Sequence, residues 1–356
     1  MFTTRTTVIA LMTVWLGLTV SNSFAQEAAT NEWAHGQVWV VEDARATQTY
    51  NAQTEVVKGM VEHGLSAITG KKTAKEAWLS LVNTQDVIGL KVHSAPGQTS
   101  GTRRPVVAGV IEGLLKAGIP AKQIIVWDRK LSDLKLAGYS ALAEQYGVRL
   151  AGSFDESYDE TQFYESPLLG TLIWGDREFG QKGEGIGRKS FVSKLVTTNI
   201  TKLISITPLL NHNVTGVYGA LAGMALSSTD NLRRFELDPP RLANAIPELY
   251  ALPSISDKVV LNIVDGLICQ YQGEERSLLH YSAAVNQLWF SHDPVAIDVM
   301  AILELDRQQK KAAAPGTRPI MDIYNNAELL DLGIANPEKV HIDKMVLGPE
   351  RIPPGS

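Results

Sequence analysis

The stretch Asp86-Val87-Ile88-Gly89-Leu90-Lys91-Val92, answered by Ile124-Ile125-Val126-Trp127 some thirty residues on, decides the fold. Each run is short, apolar and rich in β-branched residues, as a strand buried on both faces must be. Between them Pro105 suits a first helical turn, the apolar positions continue to Ala117, and Gly118 stops the helix. Strand, loop, helix and strand in this order make a βαβ unit, and so a parallel sheet.

Outward from this unit the same grammar repeats. Towards the amino end stand a short strand, Val38 to Val41, an amphipathic helix, Thr54 to Ile68, and a second helix, Thr73 to Val82. The latter opens on Thr73 with Glu76 three positions later. Towards the carboxyl end, strands are expected at Leu203 to Ile206 (ending at Pro208), Val259 to Val264 and Leu288 to Phe290. Helices are expected at Gly216 to Leu226, from Pro240 to Tyr250, from Pro294 to Leu305 and near Met321 to Leu332. The expected fold is α/β, with a mixed, mostly parallel sheet and helices on both faces. A long excursion, about 152–187, with glycines at 175, 180, 183, 185 and 187, reads as a lid or hairpin over the surface.

Residues 1–25 read as a secretory signal. Arg5 supplies the positive start, Val8 to Val20 is apolar and uncharged, and Ser23-Phe24-Ala25 is a small-residue cleavage site. Residues 26–356 then form a single α/β body in the periplasm or secreted outside the cell, with no stable membrane insertion after cleavage. The formal charge of −5 and the lack of basic runs argue against nucleic acid as a partner. A small-molecule ligand is the expected partner, and a protein partner stays open. The sole cysteine, Cys269, leaves no internal disulfide and no cysteine-held iron–sulfur cluster.

Five polar clusters follow directly on expected strands. In open α/β sheets ligands bind beyond the carboxyl ends of the strands, so these clusters are expected to converge. The first holds Lys91, His93 and the hydroxyl-rich loop with Thr99, Ser100, Thr102, Arg103 and Arg104; it suits a carboxylate or phosphate, or else simply caps the next helix. The second is Asp128-Arg129. The third, Asn211-His212-Asn213-Val214-Thr215-Gly216-Val217-Tyr218-Gly219-Ala220, joins two amides and an imidazole to a glycine-spaced helix. The fourth is Asp265-Gly266, and the fifth is His292-Asp293-Pro294, with Asp298 one turn on. His212 is the expected base or metal ligand, with Asp128 and Asp265 orienting it. Substrate is expected on Lys91, His93, Thr99, Ser100, Thr102, Arg103, Asn211, Asn213 and Thr215. A divalent metal on His212, Asp265, His292 and Asp293 is a further expectation, although Asp293 equally reads as a helix cap.

In these same stretches the chain resembles the "domain of unknown function 362" family. The string from Ile204 to Leu221, with His212 and its following glycines, carries the likeness most specifically. The resemblance implies the fold more than an activity. It also implies lysines where this chain has Leu210 and Ala222, and so an anion-binding role lost or moved to Lys91, Lys194 or Arg103. A more distant likeness to lactate racemase, a nickel-pincer enzyme, rests on Leu114 to Val126 and on His212, and implies metal ligation by that one histidine.

The expected function is an exported enzyme acting on a small anionic or polyhydroxyl substrate, with metal assistance as one form of it. The rivals are a binding protein that uses the crevice without turnover and a partner-binding subunit of an envelope assembly.

Overall fold

The central strands are buried on both faces, and the chain covers both with helices. A computed structural model describes residues 35–236 and 238–348; the expected signal at 1–25 lies outside them. The strands, in chain order, are β1 (Gln37–Asp43), β2 (Thr47–Gln48), β3 (Asn51–Ala52), β4 (Ile88–Val92), β5 (Ile124–Asp128), β6 (Arg149–Gly152), β7 (Tyr158–Glu165), β8 (Lys189–Ser193), β9 (Lys202–His212), β10 (Gly216–Val217), β11 (Val259–Gln270), β12 (Ser282–Ser291) and β13 (His341–Leu347).

A nine-stranded sheet runs β13-β1-β12-β11-β9-β4-β5-β6, with β10 hung on β9. The pairs β11/β9, β9/β4, β4/β5, β5/β6 and β1/β13 are parallel; β12 is antiparallel to both its neighbours. The sheet is therefore mixed and mostly parallel. On one face Leu90, Val126, Ile204 and Ile263 pack against the helices Thr54–Thr69, Ala74–Leu81 and Arg104–Ala117. On the other, Ile125, Trp127 and Leu203 pack against Ala220–Ser228, Pro239–Tyr250 and Asp322–Leu329.

Close packing explains two glycines. A Cβ at Gly64 would stand 2.1 Å from the Phe290 ring, and one at Gly113 would stand 2.1 Å from Trp78 Nε1. These helices approach their neighbours only because both positions lack a side chain. The Thr73 cap forms as expected, its hydroxyl accepting from Glu76 N at 3.2 Å.

One element differs from expectation in a way that matters for the site. Strand β9 does not stop at Pro208; it continues to His212, its ladder with β11 breaking register between Asp265 and Gln270. A proline, which donates no ladder bond, is tolerated at such an irregularity. The excursion is a hairpin, β7 pairing with β8, with 166–188 looped between. No helix among the described residues is long and apolar enough to cross a membrane.

Candidate functional site

Strand β4 is the point at which the sheet's order reverses: the chain moves from β4 outwards to β5 and β6, then returns to place β9 and β11 on the other side. A crevice forms beyond the carboxyl ends of two strands that part in this way. Here a cleft of about 430 Å³ opens, lined by His93 after β4, Asp128 at the end of β5, and His212 at the end of β9.

At its floor is a buried ion pair. Lys91 is wholly buried, and its Nζ lies 3.1 Å from Asp128 Oδ1. Asp128 Oδ2 accepts from both the N–H and the hydroxyl of Ser94, each at 2.7 Å. Burial works to raise this carboxyl, but the Lys91 ammonium, His93 and the Ser94 bonds outweigh it and hold Asp128 below its ordinary range.

Above this floor two imidazoles flank one tyrosine. The His93 ring stacks on Tyr218 at 4.4 Å between centroids, and the His212 ring meets Tyr218 edge-on at 4.6 Å. His93 Nε2 stands 3.1 Å from Glu275 Oε1, and that imidazole keeps the Glu275 carboxyl below its usual range. His212 Nδ1 accepts from the backbone N–H groups of Val214 and Thr215, both at 3.1 Å. In the neutral ring this assigns the proton to Nε2. Burial lowers the pKa of His212; Glu274 and Glu275 oppose that, and His93 adds to it. The ring thus stays neutral and presents an N–H donor. Burial, reinforced by Glu275 and Glu274, raises the Tyr218 phenol, so it too is a neutral hydroxyl.

Of the residues expected at the site, His93, Asp128, His212 and Thr215 line the cleft, with Lys91 beneath them. Asn211 and Asn213 act at one remove. Asn211 Oδ1 accepts from Glu274 N at 3.1 Å, and Asn213 N donates to Glu274 Oε1 at 3.0 Å, so the pair carries the turn that bears Glu275.

The others are elsewhere. Asp265 does not orient His212: its Oδ2 accepts from Arg103 N at 2.8 Å and from the Arg103 guanidinium at 3.2 Å. Thr99 and Arg103 border a different cleft with Tyr50, Gln98 and Arg104. Ser100 donates to Gln270, and Thr102 bonds His93 N and Ile206 O. That loop braces the crevice and does not line it.

His292 and Asp293 lie at the other end of the sheet. Because β12 runs antiparallel, with Ser291 opposite Asn262 near the start of β11, its carboxyl end falls beside the amino ends of the parallel strands. Asp293 there caps the helix Pro294–Lys311 through Val295 N and Ala296 N. The expected quartet of His212, Asp265, His292 and Asp293 is therefore not assembled, and among the described residues no three His, Cys, Asp or Glu side chains gather as metal ligands. With Nδ1 of His212 engaged and Nε2 protonated, the neutral ring faces the cleft as a donor, without a lone pair for a metal.

Sequence reading missed Glu275 and gave Tyr218 no role. The string 211–220 contained the tyrosine, but only the fold shows two imidazoles packed against it.

Among curated proteins nothing matches this chain. Among solved structures it is similar to a protein from Thermotoga maritima, at 13% identity and a TM-score of 0.36, with 61% of this chain and 51% of that one covered. The chain thus spans about half the length of that structure. The model of the family described as "Domain of unknown function (DUF362)" matches residues 88–302, a span that holds β4, β5, β9 and the cleft side chains named above. With well over half of the chain matched, this protein belongs to that family.

Proposed function

We propose that the cleft at the ends of β4 and β9 is the active site of an enzyme that moves a proton on a small polyhydroxyl or anionic substrate. The observation that carries this reading is the pair of unlike imidazoles packed against Tyr218, one stacked and one edge-on. His93, backed by the Glu275 carboxylate, is the base; the carboxylate stabilises the imidazolium that forms when the ring takes a proton. His212, neutral with its proton on Nε2, is the donor aimed at the oxygen on which the electron pair collects. Asp128 and Lys91 hold the floor rigid and neutral overall.

Hydrogen exchange into deuterated water, followed by NMR over a panel of hydroxy acids and sugars, tests this. The wild-type protein is expected to exchange a substrate C–H, and His93→Gln to lose that by about a hundredfold or more. Absence of exchange, together with no ligand-dependent rise in melting temperature, would remove the enzymatic reading.

One observation favours a second reading, ligand binding without turnover. Ala222 lines the cleft and Leu210 is fully buried, at the two positions where the family resemblance implies lysines. Saturable thermal stabilisation without exchange would select it, since a ligand at a hundred times its Kd adds about 2.7 kcal/mol.

Export belongs to the same proposal. Arg5, the apolar run Val8 to Val20 and the Ser23-Phe24-Ala25 site support a cleaved leader. Mass spectrometry of the protein recovered outside the cytoplasm is expected to give Gln26 as its first residue; a mature chain that retains Met1 would count against it.

A further inference from the structure

The loop between β7 and β8 carries a tryptophan that the proton-transfer reading does not use. Residues 173–176 form a tight turn, in which Asp176 N donates to Ile173 O at 3.0 Å and Asp176 Oδ2 accepts from Ile173 N at 2.8 Å. Gly175 takes a left-handed φ of +100° and packs so near Phe154 that a Cβ would stand 2.1 Å from its ring. The turn is tied to the body twice: Asp176 Oδ1 accepts from Asn231 N at 3.0 Å, and Arg177 N donates to Asp230 Oδ2 at 2.7 Å.

Trp174 stands at the tip of this braced turn, 74% exposed, its ring 5.7 Å from that of Phe154. Phe154 and Ile173 both line the cleft. A tryptophan on a slack loop would fold down and bury its ring. This one is held in water beside a cavity whose lining mixes apolar and charged side chains, where a large rigid face costs little entropy to present.

We propose that Trp174 and Phe154 form an aromatic platform and that the ligand of this cleft is a carbohydrate, one ring of which lies on the platform. A sugar ring has an apolar C–H face and a rim of hydroxyls. The indole covers the face, and the rim meets Asp133, Glu236, Glu275 and Arg129, which line the interior. A small polyanion fits this lining poorly: four carboxylates (those three and Asp128) face two cations, Arg129 and Lys130, and Lys91 below is already paired with Asp128. The inference rests on the cleft proposed above being the binding site, and narrows its substrate to the polyhydroxyl class. Leu169 and Phe179 are also exposed on this loop, which makes a lipid surface the competing occupant.

Tryptophan fluorescence of the full-length protein, read as the difference between wild type and Trp174→Phe, tests the platform, and isothermal titration calorimetry gives the affinities of wild type and variants. The probes are D-glucose, D-galactose, D-glucuronate, cellobiose, succinate, inorganic phosphate and phosphatidylglycerol vesicles. At least one sugar is expected to shift the Trp174 signal; Trp174→Ala is expected to weaken that sugar about tenfold, and Trp174→Phe to keep most of the affinity. Four results overturn the proposal: no response to any sugar, preference for succinate or phosphate over every sugar, vesicle binding that depends on Trp174 without a sugar response, or unchanged sugar affinity in Trp174→Ala. Sugar binding that depends on Trp174 without hydrogen exchange would instead leave the platform standing and remove the proton-transfer reading.

Discussion

Lys91 shows how a single side chain sets the chemistry of its surroundings. It is wholly buried, its ammonium 3.1 Å from Asp128 and 2.7 Å from the Val92 carbonyl. Removing one partner of such a pair strands the other charge in the interior, so Lys91→Met is expected to cost about 3–5 kcal/mol in urea unfolding. Pairing it with Asp128→Leu should restore much of that loss; a double variant as unstable as the single would show that the ammonium matters for some other reason. At His212 the prediction is spectroscopic. Long-range ¹H–¹⁵N spectra at pH 6.5 are expected to show a neutral ring protonated on Nε2, because burial favours the uncharged form and two backbone N–H groups occupy Nδ1. A ring half charged at that pH would contradict the donor role. How much of the site was legible varied residue by residue. His212 announced itself, an imidazole between two amides at the end of a strand. Glu275 could not, because it reaches the cleft from a turn some sixty residues on, held there by the Glu274 N bond to Asn211 Oδ1. Nothing local marks a carboxylate whose partner lies across the sheet.

At the scale of elements, strand direction separates what could be read from what could not. Apolar runs locate strands, and the helical crossovers correctly indicated a parallel block. Run length and composition say nothing of direction, so from sequence β12 reads as one more strand ending at the crevice. The clue was the connection itself. Between Gln270 and Ser282 there are only two single-turn helices, Glu274–Arg276 and Leu279–Tyr281, too little for a crossover, and such a link implies antiparallel neighbours. That one reversal sends His292 and Asp293 to the opposite end of the sheet. There Asp293 joins three segments: besides the helix N–H groups, its Oδ2 accepts from Gly36 N at 2.8 Å and Ile334 N at 2.9 Å. Asp293→Ala removes a cap worth about 1 kcal/mol and leaves two further N–H groups without a partner. The expected loss is about 2–4 kcal/mol by thermal or chemical unfolding, without change in any ligand response of the cleft. A loss below half a kcal/mol would show that water replaces the carboxylate readily.

The whole molecule has a pH response set by buried carboxyls. Burial pushes Asp230 up to about 7, against the N–H bonds from Arg177 and Phe191, and Asp176 and Glu178 push it the same way. A folded-state pKa above the unfolded value means that the folded chain keeps a proton which the unfolded chain has lost. The stability Asp230 supplies is therefore full below about pH 4 and disappears as the pH rises towards 7. Asp230→Asn does not titrate, so its melting temperature should gain on wild type across that window; parallel curves would refute the shift. Strand order has its own consequence. Residues 37–43 are hydrogen-bonded on one side to 282–291 and on the other to 341–347. A ribosome releases the first of these segments long before either of its mates, so this seam can be zipped only after residue 347 has emerged. Deleting 341–348 is accordingly expected to fray residues 37–43, with proteolytic cuts appearing there although the deletion lies some three hundred residues away.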